Sequence, residues 1–282
     1  MNYITLNDGN EIPAVGFGVF RVDCGRPTFD AALKALELGY RHIDTATAYY
    51  NEADVGAAVR ASGLPREEVW VTSKLWIQDY GYEAAKWGID RSLAKLGLDY
   101  IDLYLLHQPY GDVVGAWKAL EEAKEAGKIR SIGVSNMSVN LWNQFVPQFD
   151  TLPAVNQVQC NPLNQQKELR ALLAKDGVVT EAWGPLGQGN ADLLSNEVLA
   201  GIGEKYGKNV GQVMLRWEHQ EGIVPLPKST NPTRIATNLE IFDFELTADE
   251  MDAIRALDTG KGHDPEAPGL GELLMNNYPV HD

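Results

Sequence analysis

Short apolar segments and amphipathic helical segments alternate along almost the whole chain. Eight of the apolar segments have strand character, because they are rich in β-branched and aromatic residues and are bounded by glycine or polar residues. They cover residues 15–20, 40–44, 69–75, 101–107, 129–135, 154–159, 178–183 and 222–227. Between them, apolar residues recur at helical spacing, as at Phe29, Leu33 and Leu36. The pattern therefore predicts eight strand–helix units.

The first 13 residues have a different pattern. Two short apolar segments flank Asn7-Asp8-Gly9-Asn10, a sequence typical of a tight hairpin turn. We expect this N-terminal β-hairpin to plug the bottom of a barrel. No Pro/Ser-rich linker or change in composition divides the units that follow, so residues 1–282 are predicted to form a single domain. Eight units in one undivided chain favour an α/β fold of the (βα)8 TIM-barrel type over an open doubly wound sheet.

Composition and charge exclude several classes of partner. The 282 residues carry a formal net charge of −15, which argues against nucleic acid or an anionic membrane as a general partner. Any anionic ligand must therefore meet a local basic patch. The N-terminus lacks a basic, apolar leader, and no segment reaches membrane-spanning length. Cys24 and Cys160 are too few for a disulfide scaffold. We expect a cytoplasmic protein with reduced thiols.

Polar residues stand at the carboxyl ends of three predicted strands. Asp44 ends one strand, Tyr49 lies in the loop after it, and Lys74 and His107 end the next two. In a parallel barrel these ends meet at one mouth, where function concentrates. There an ammonium can lower the pKa of a phenol, and a carboxylate can keep that ammonium charged, so the phenol can donate a proton to a carbonyl oxygen. The alternative for the same residues is a structural ion-pair network.

Signatures of other enzyme classes are missing from the sequence. Gly16-Phe17-Gly18 does not extend into the GxGxxG of a Rossmann fold, and there is no Walker A loop or GxSxG motif. HExxH and CxxC are also missing, so no metal site is predicted.

Over essentially its whole length the chain resembles the aldo-keto reductase family. DTATAYYNE is similar to the segment with the family's aspartate and catalytic tyrosine, SKLW to the segment with its lysine, and LYLLHQP to the segment with its histidine. The resemblance implies NADPH-dependent reduction of an aldehyde or ketone by hydride transfer, with Tyr49 as general acid. It implies a catalytic set of Asp44, Tyr49, Lys74 and His107. It also implies a substrate site formed by Phe20, Tyr49, Trp76, His107 and Gln108.

Later motifs resemble the family's NADPH site. IGVSN and AVNQVQ imply that Ser135, Asn136 and Gln157 bond to the nicotinamide carboxamide, and AWGPLGQG implies that Trp183 stacks on the ring. Glycines after Trp183 would let the backbone approach the pyrophosphate, in a loop that contains Gly184, Leu186, Gly187 and Gly189. PLPKSTNPTRIATN resembles the adenosine-phosphate site. There the resemblance implies contacts to the 2′-phosphate from Lys228 and Arg234, further donors from Ser229 and Thr230, and an adenine contact from Asn238. Outside the family, this segment would be a solvated basic turn.

The sequence departs from the family pattern at three positions and leaves alternatives open. Thr237 stands where the family often has a glutamate beside the adenine site. Gln108 replaces a tryptophan, and Asn161 replaces a histidine. GPLGQG and the overall pattern are similar to 2,5-diketo-D-gluconate and methylglyoxal reductases, which implies a small polar, sugar-derived or dicarbonyl substrate and a monomer. One alternative is an NADPH-binding regulatory or sensor subunit with little turnover. Another is a barrel isomerase for a phosphorylated sugar, which would need no stacking residue such as Trp183.

Overall fold

An antiparallel hairpin begins the chain in the computed structural model, which describes residues 2–281. Its strands are β1 (Tyr3–Thr5) and β2 (Glu11–Pro13). Leu6 and Ile12 are buried. They pack inside the barrel against Trp70, Val155 and Val224, which are the first residues of three barrel strands. The hairpin therefore plugs the end where the strands begin, as the sequence predicts.

The eight predicted strands form one parallel sheet in which spatial order equals chain order. They are β3 (Phe17–Gly18), β4 (His42–Asp44), β5 (Trp70–Leu75), β6 (Ile101–Leu106), β7 (Ile129–Ser135), β8 (Val155–Gln159), β9 (Val179–Trp183) and β10 (Val224–Leu226). The first and last strands meet through hydrogen bonds from Gly16 N to Pro225 O at 3.0 Å and from Gly18 N to Pro227 O at 3.1 Å. These bonds close the sheet, so the predicted (βα)8 barrel is confirmed.

Helices surround the barrel, because their apolar faces pack on the outward side chains of the strands. They are α1 (Arg26–Glu37), α2 (Glu52–Ala61), α3 (Tyr82–Leu96), α4 (Val113–Glu125), α5 (Val139–Phe145), α6 (Lys167–Lys175), α7 (Ala191–Leu194), α8 (Glu197–Tyr206), α9 (Val210–Gln220), α10 (Pro232–Leu239), α11 (Ala248–Arg255) and α12 (Leu270–Asn277). Three helices follow the last strand. The last of them, α12, has no fully buried side chain. Among the described residues, no helix is both long and apolar enough to cross a membrane.

Asn51 directly precedes α2, but its side chain does not cap the helix. Thr45 Oγ1 donates to Asn51 Oδ1 at 2.7 Å, and Asn51 Nδ2 donates to Val19 O at 3.2 Å. These two bonds join the loop after β3 to the loop after β4, and Asn51 itself is fully buried. The junction holds the turn that presents Tyr49.

Gly56 lies where α2 crosses the end of α3. A Cβ at Gly56 would overlap the carbonyl oxygen of Leu96. We expect Gly56→Ala to lower the free energy of unfolding by about 1–3 kcal/mol, as overpacking does, despite the higher helix propensity of alanine. Urea unfolding measures the change. The matched control is Gly201→Ala in α8, where a Cβ would meet nothing within 4 Å and a gain of about 0.4–1 kcal/mol is expected. Equal stability of the two variants would contradict close packing of α2 on α3.

Candidate active site

A buried ion pair lies at the mouth of the barrel. Lys74 Nζ donates to both carboxylate oxygens of Asp44 at 2.7 Å and to Thr45 O at 2.9 Å. The two side chains meet because β4 and β5 are neighbouring parallel strands. Burial alone would lower the pKa of Lys74, but the charge of Asp44 and the nearby Tyr49 outweigh it and raise that pKa above its ordinary value. Lys74 is therefore an ammonium at neutral pH.

Tyr49 ends a short 3-10 turn, Thr47–Tyr49, directly after β4. Its hydroxyl lies 3.5 Å from Lys74 Nζ. Burial raises the pKa of Tyr49, and the Lys74 ammonium offsets only part of that rise. The Lys74 charge lowers the pKa of Tyr49, as the sequence predicts, but loss of hydration outweighs that effect, so the net pKa is raised. The phenol stays protonated at neutral pH, and Lys74 makes it a stronger acid than burial alone would allow.

His107 follows β6 and faces the same mouth. Its ring centroid lies 5.5 Å from that of Tyr49 and 5.0 Å from that of Trp76, both in edge contacts. Burial, together with the Lys74 charge, holds the pKa of His107 well below its ordinary value. The imidazole is therefore neutral at pH 7 and can donate one N–H hydrogen bond.

The other predicted substrate residues surround this group. The Phe20 ring is 36% exposed and lies 4.9 Å from the Tyr49 ring, and Trp76 is buried. Gln108 is buried, and its backbone N–H and carbonyl both bond to the Tyr80 hydroxyl. Its side-chain Oε1 is buried without a partner among the described residues. The mouth thus has aromatic walls and one unpaired amide oxygen, that of Gln108.

The predicted nicotinamide residues form a connected layer across β7, β8 and β9. Ser135 Oγ donates to Gln157 O at 2.8 Å. Asn136 Nδ2 donates to His107 O at 3.2 Å, and Asn136 Oδ1 accepts from Trp183 Nε1 at 2.8 Å. The indole and the amide therefore hold each other in place beside His107.

Gln157 connects this layer to the ion pair. Its Nε2 donates to Asp44 Oδ2 at 2.9 Å and to Glu181 Oε2 at 3.0 Å. Glu181 is fully buried, and it belongs to none of the motifs from which the site was predicted. One signal was available, because an acidic residue interrupts the otherwise uncharged strand β9. The structure therefore adds a second carboxyl group next to the predicted catalytic set.

The loop after β9 is open at the mouth. Gly187 and Gly189 have φ angles of 64° and 85°, which favour glycine, and a Cβ at Gly189 would meet nothing within 4 Å. Gly184 precedes them, and Leu186 packs on the apolar cluster beneath α8 and α9. The backbone of this loop is thus accessible to a bulky ligand group.

The predicted phosphate residues follow β10. Lys228, Thr230 and Arg234 are exposed, and within residues 2–281 neither cation forms an ion pair. Ser229 is buried, with its Oγ accepting from Asn231 N at 3.1 Å, and Asn238 is buried on α10. Two uncommitted cations on a chain of net charge −15 suit an anionic group such as a phosphate.

Comparison with known proteins agrees with this arrangement. The model of the aldo/keto reductase family matches residues 26–259. The chain therefore belongs to the aldo/keto reductase family. It is 46% identical over 273 residues to glyoxal reductase of Bacillus subtilis (strain 168), which covers 96% of this chain and 97% of that protein. It is 46% identical to 9,11-endoperoxide prostaglandin H2 reductase of Trypanosoma cruzi (strain CL Brener), covering 94% of this chain and 95% of the relative.

Solved structures show the same relationship. A crystal structure of an aldo/keto reductase from Brucella melitensis has a TM-score of 0.88 and 43% identity, and it covers 91% of this chain and 99% of its own. Membership of the aldo/keto reductase family supports an oxidoreductase that reduces carbonyl groups of small molecules with a nicotinamide cofactor.

In this aldo/keto reductase the C-terminal tail crosses the mouth. The Tyr278 ring lies 6.0 Å from the Trp76 ring. Tyr50 OH donates to Pro279 O at 2.7 Å, and Val280 N donates to Gln78 Oε1 at 2.6 Å. No local pattern in the sequence indicates these contacts, because the partners lie about 200 residues away.

Proposed function

We propose that this chain reduces an aldehyde or ketone to the alcohol with NADPH, with Tyr49 as the general acid. The main support is the buried contact of Lys74 with both Asp44 and the Tyr49 hydroxyl, beside a neutral His107. A structural ion-pair network alone would not need a protonated phenol and a neutral imidazole at an accessible mouth. We also propose that residues 1–282 form one domain and act as a monomer, which sedimentation can test.

NADPH, when bound, supplies a hydride to the carbonyl carbon. As the C–H bond forms, Tyr49 gives its phenolic proton to the carbonyl oxygen, so that the C=O group becomes CH–OH. The Lys74 ammonium stabilises the phenolate that remains, and Asp44 keeps Lys74 charged and in place. A proton taken up from solvent then restores the phenol. One carbonyl, one NADPH and one proton thus yield one alcohol and one NADP⁺. His107 donates a hydrogen bond that orients the carbonyl oxygen.

The residues present fit a dinucleotide. No hydrogen bond within residues 2–281 uses the amide oxygen of Gln157, so it is available to the carboxamide. Ser135 and Asn136 would help to hold that group, with Trp183 against the ring. The open backbone at Gly189, together with the less exposed Gly187, would accept the pyrophosphate. Lys228, Ser229, Thr230 and Arg234 would bind the 2′-phosphate, and Asn238 would contact adenine.

Arg234→Ala tests the choice of cofactor. A charge-assisted hydrogen bond contributes about 1.5–3 kcal/mol, so the KM for NADPH is expected to rise about 10- to 100-fold. The KM for NADH should stay nearly constant, because NADH lacks the 2′-phosphate. Steady-state kinetics with both cofactors measure the effect, and Arg26→Ala on exposed α1 is the matched control. Equal use of both cofactors by the parent protein would contradict the phosphate site but not the proton donor.

Glyoxal reductase among the relatives supports a small dicarbonyl substrate. The unpaired Oε1 of Gln108 at the pocket wall also favours a polar molecule, since it can accept a hydrogen bond from a hydroxyl group. The direct experiment follows NADPH consumption with methylglyoxal and with a diketo sugar acid. Binding of NADPH without turnover of any carbonyl tested would instead favour a sensor subunit.

A further inference from the structure

Glu181 is a buried acid that the proposed mechanism does not use. It lies on β9 two residues before Trp183, and its side chain is fully buried. Gln157 Nε2 donates to Glu181 Oε2 and to Asp44 Oδ2, so that two carboxyl groups share one amide nitrogen. Glu181 Oε1 has no hydrogen-bond partner among the described residues. Such an acid is directly connected to the ion pair of the candidate site.

The groups around Glu181 cannot balance a second negative charge. From β4, His42 Nε2 lies 3.7 Å from Glu181 Oε1, but burial and the Lys74 charge lower the pKa of His42 to about 3, so this imidazole is neutral. Lys74 on β5 is the one nearby cation among the described residues, and Asp44 already holds it. Gln157 on β8 is uncharged. Burial and the charge of Asp44 raise the pKa of Glu181 to about 8. Glu181 is therefore neutral at pH 7 and anionic at pH 9.

We propose, resting on the proposed function, that Glu181 is a positioning residue that holds the Gln157 amide against Asp44 and whose charge sets the balance between oxidised and reduced cofactor. The oxidised nicotinamide ring is a cation and the reduced ring is neutral. An anion bonded to Gln157 and close in sequence to Trp183 therefore favours the oxidised form. By linkage, cofactor oxidation and loss of the Glu181 proton promote each other. High pH would thus shift the site from reducing carbonyls towards oxidising alcohols.

The test measures the Kd of NADP⁺ and of NADPH at pH 7 and at pH 9 from the quenching of tryptophan fluorescence. The ratio of the two constants is informative, because ionisation of the phosphates affects both forms alike. In the parent protein, the preference for NADP⁺ over NADPH should increase on the order of tenfold between the two pH values. In Glu181→Gln the preference should change less than about twofold, since no charge can form there. An unchanged ratio in the parent, or a parent-like change in Glu181→Gln, would overturn the proposal.

Two further variants separate this effect from general damage. Glu218→Gln on α9 removes another fully buried carboxyl group, whose pKa burial also raises and which has no hydrogen bond to the site among the described residues. It should keep the parent's pH-dependent ratio. Glu181→Asp retains a carboxyl and should keep a pH-dependent ratio as well. Loss of that dependence in Glu218→Gln, or its absence in Glu181→Asp, would contradict a specific role for the charge of Glu181.

A measurement without cofactor tests the proton itself. Because the folded pKa of Glu181 is raised, the folded chain keeps a proton that the unfolded chain releases. The contribution of Glu181 to the free energy of unfolding therefore decreases as the pH rises from the ordinary pKa of 4.5 to about 8. The parent Tm should decline more steeply over this window than that of Glu181→Gln, and parallel declines would overturn the titration. If the parent bound neither cofactor, the proposed function would fail, whereas bound cofactors with a constant ratio would overturn this inference alone.

Discussion

Tyr49→Phe is expected to lower kcat for carbonyl reduction by about 10²–10⁴, the usual loss for a general acid. NADPH binding should stay nearly unchanged, because phenylalanine keeps the ring contacts with Phe20 and His107. Only the hydroxyl 3.5 Å from Lys74 Nζ is removed. Steady-state turnover and the Kd of NADPH together measure the two effects.

Tyr82→Phe provides the matched control for removal of a hydroxyl. Tyr82 lies on α3, and its hydroxyl bonds to Glu122 on α4 rather than to a residue of the site. Its turnover should equal that of the parent. If Tyr49→Phe kept a rate within a few-fold of Tyr82→Phe, another group would have to supply the proton.

Lys74→Met is expected to reduce turnover as much as Tyr49→Phe and to destabilise the fold as well. Without the ammonium, the pKa of Tyr49 rises further, which weakens the acid. Asp44 is left as a buried, uncompensated charge, which typically costs about 3–5 kcal/mol. Urea unfolding and turnover per folded molecule measure both consequences. The pKa of Lys74 is raised in the folded protein, so its charge contributes fully to the free energy of unfolding of the parent below the ordinary lysine pKa. This contribution, which Lys74→Met removes, is lost in the parent only as the pH rises through the folded pKa of Lys74.

The double variant Asp44→Asn with Lys74→Met separates the two effects. Removal of both charges leaves no buried ion without a partner, so this variant should be more stable than Lys74→Met alone. Its turnover should remain low, because the phenol still lacks an ammonium neighbour. A stability no higher than that of Lys74→Met, or a return of activity, would show that the ion pair has a different role.

The local order of this protein follows from its sequence. The eight strand–helix units could be predicted because burial requires apolar side chains at a regular spacing, and strand β7 begins and ends where predicted. Short strands were predicted too long. The segment 15–20 contributes only Phe17–Gly18 to the sheet, since parallel pairing with β4 stops there. The positions of Asp44, Tyr49, Lys74 and His107 could be predicted as well, because the carboxyl ends of parallel strands must meet at one mouth.

Only the tertiary structure decided features that depend on distances across the barrel. The net pKa of Tyr49 depends on how completely the phenol is buried, and no local sequence pattern indicates the extent of that burial. Glu181 meets Asp44 only through Gln157, from strands far apart in sequence. The tail reaches the mouth through contacts with distant residues, such as the hydrogen bond that Tyr50 OH donates to Pro279 O. Periodic burial is visible in a sequence because it repeats, whereas a single contact between distant residues appears only when the closed barrel brings them together.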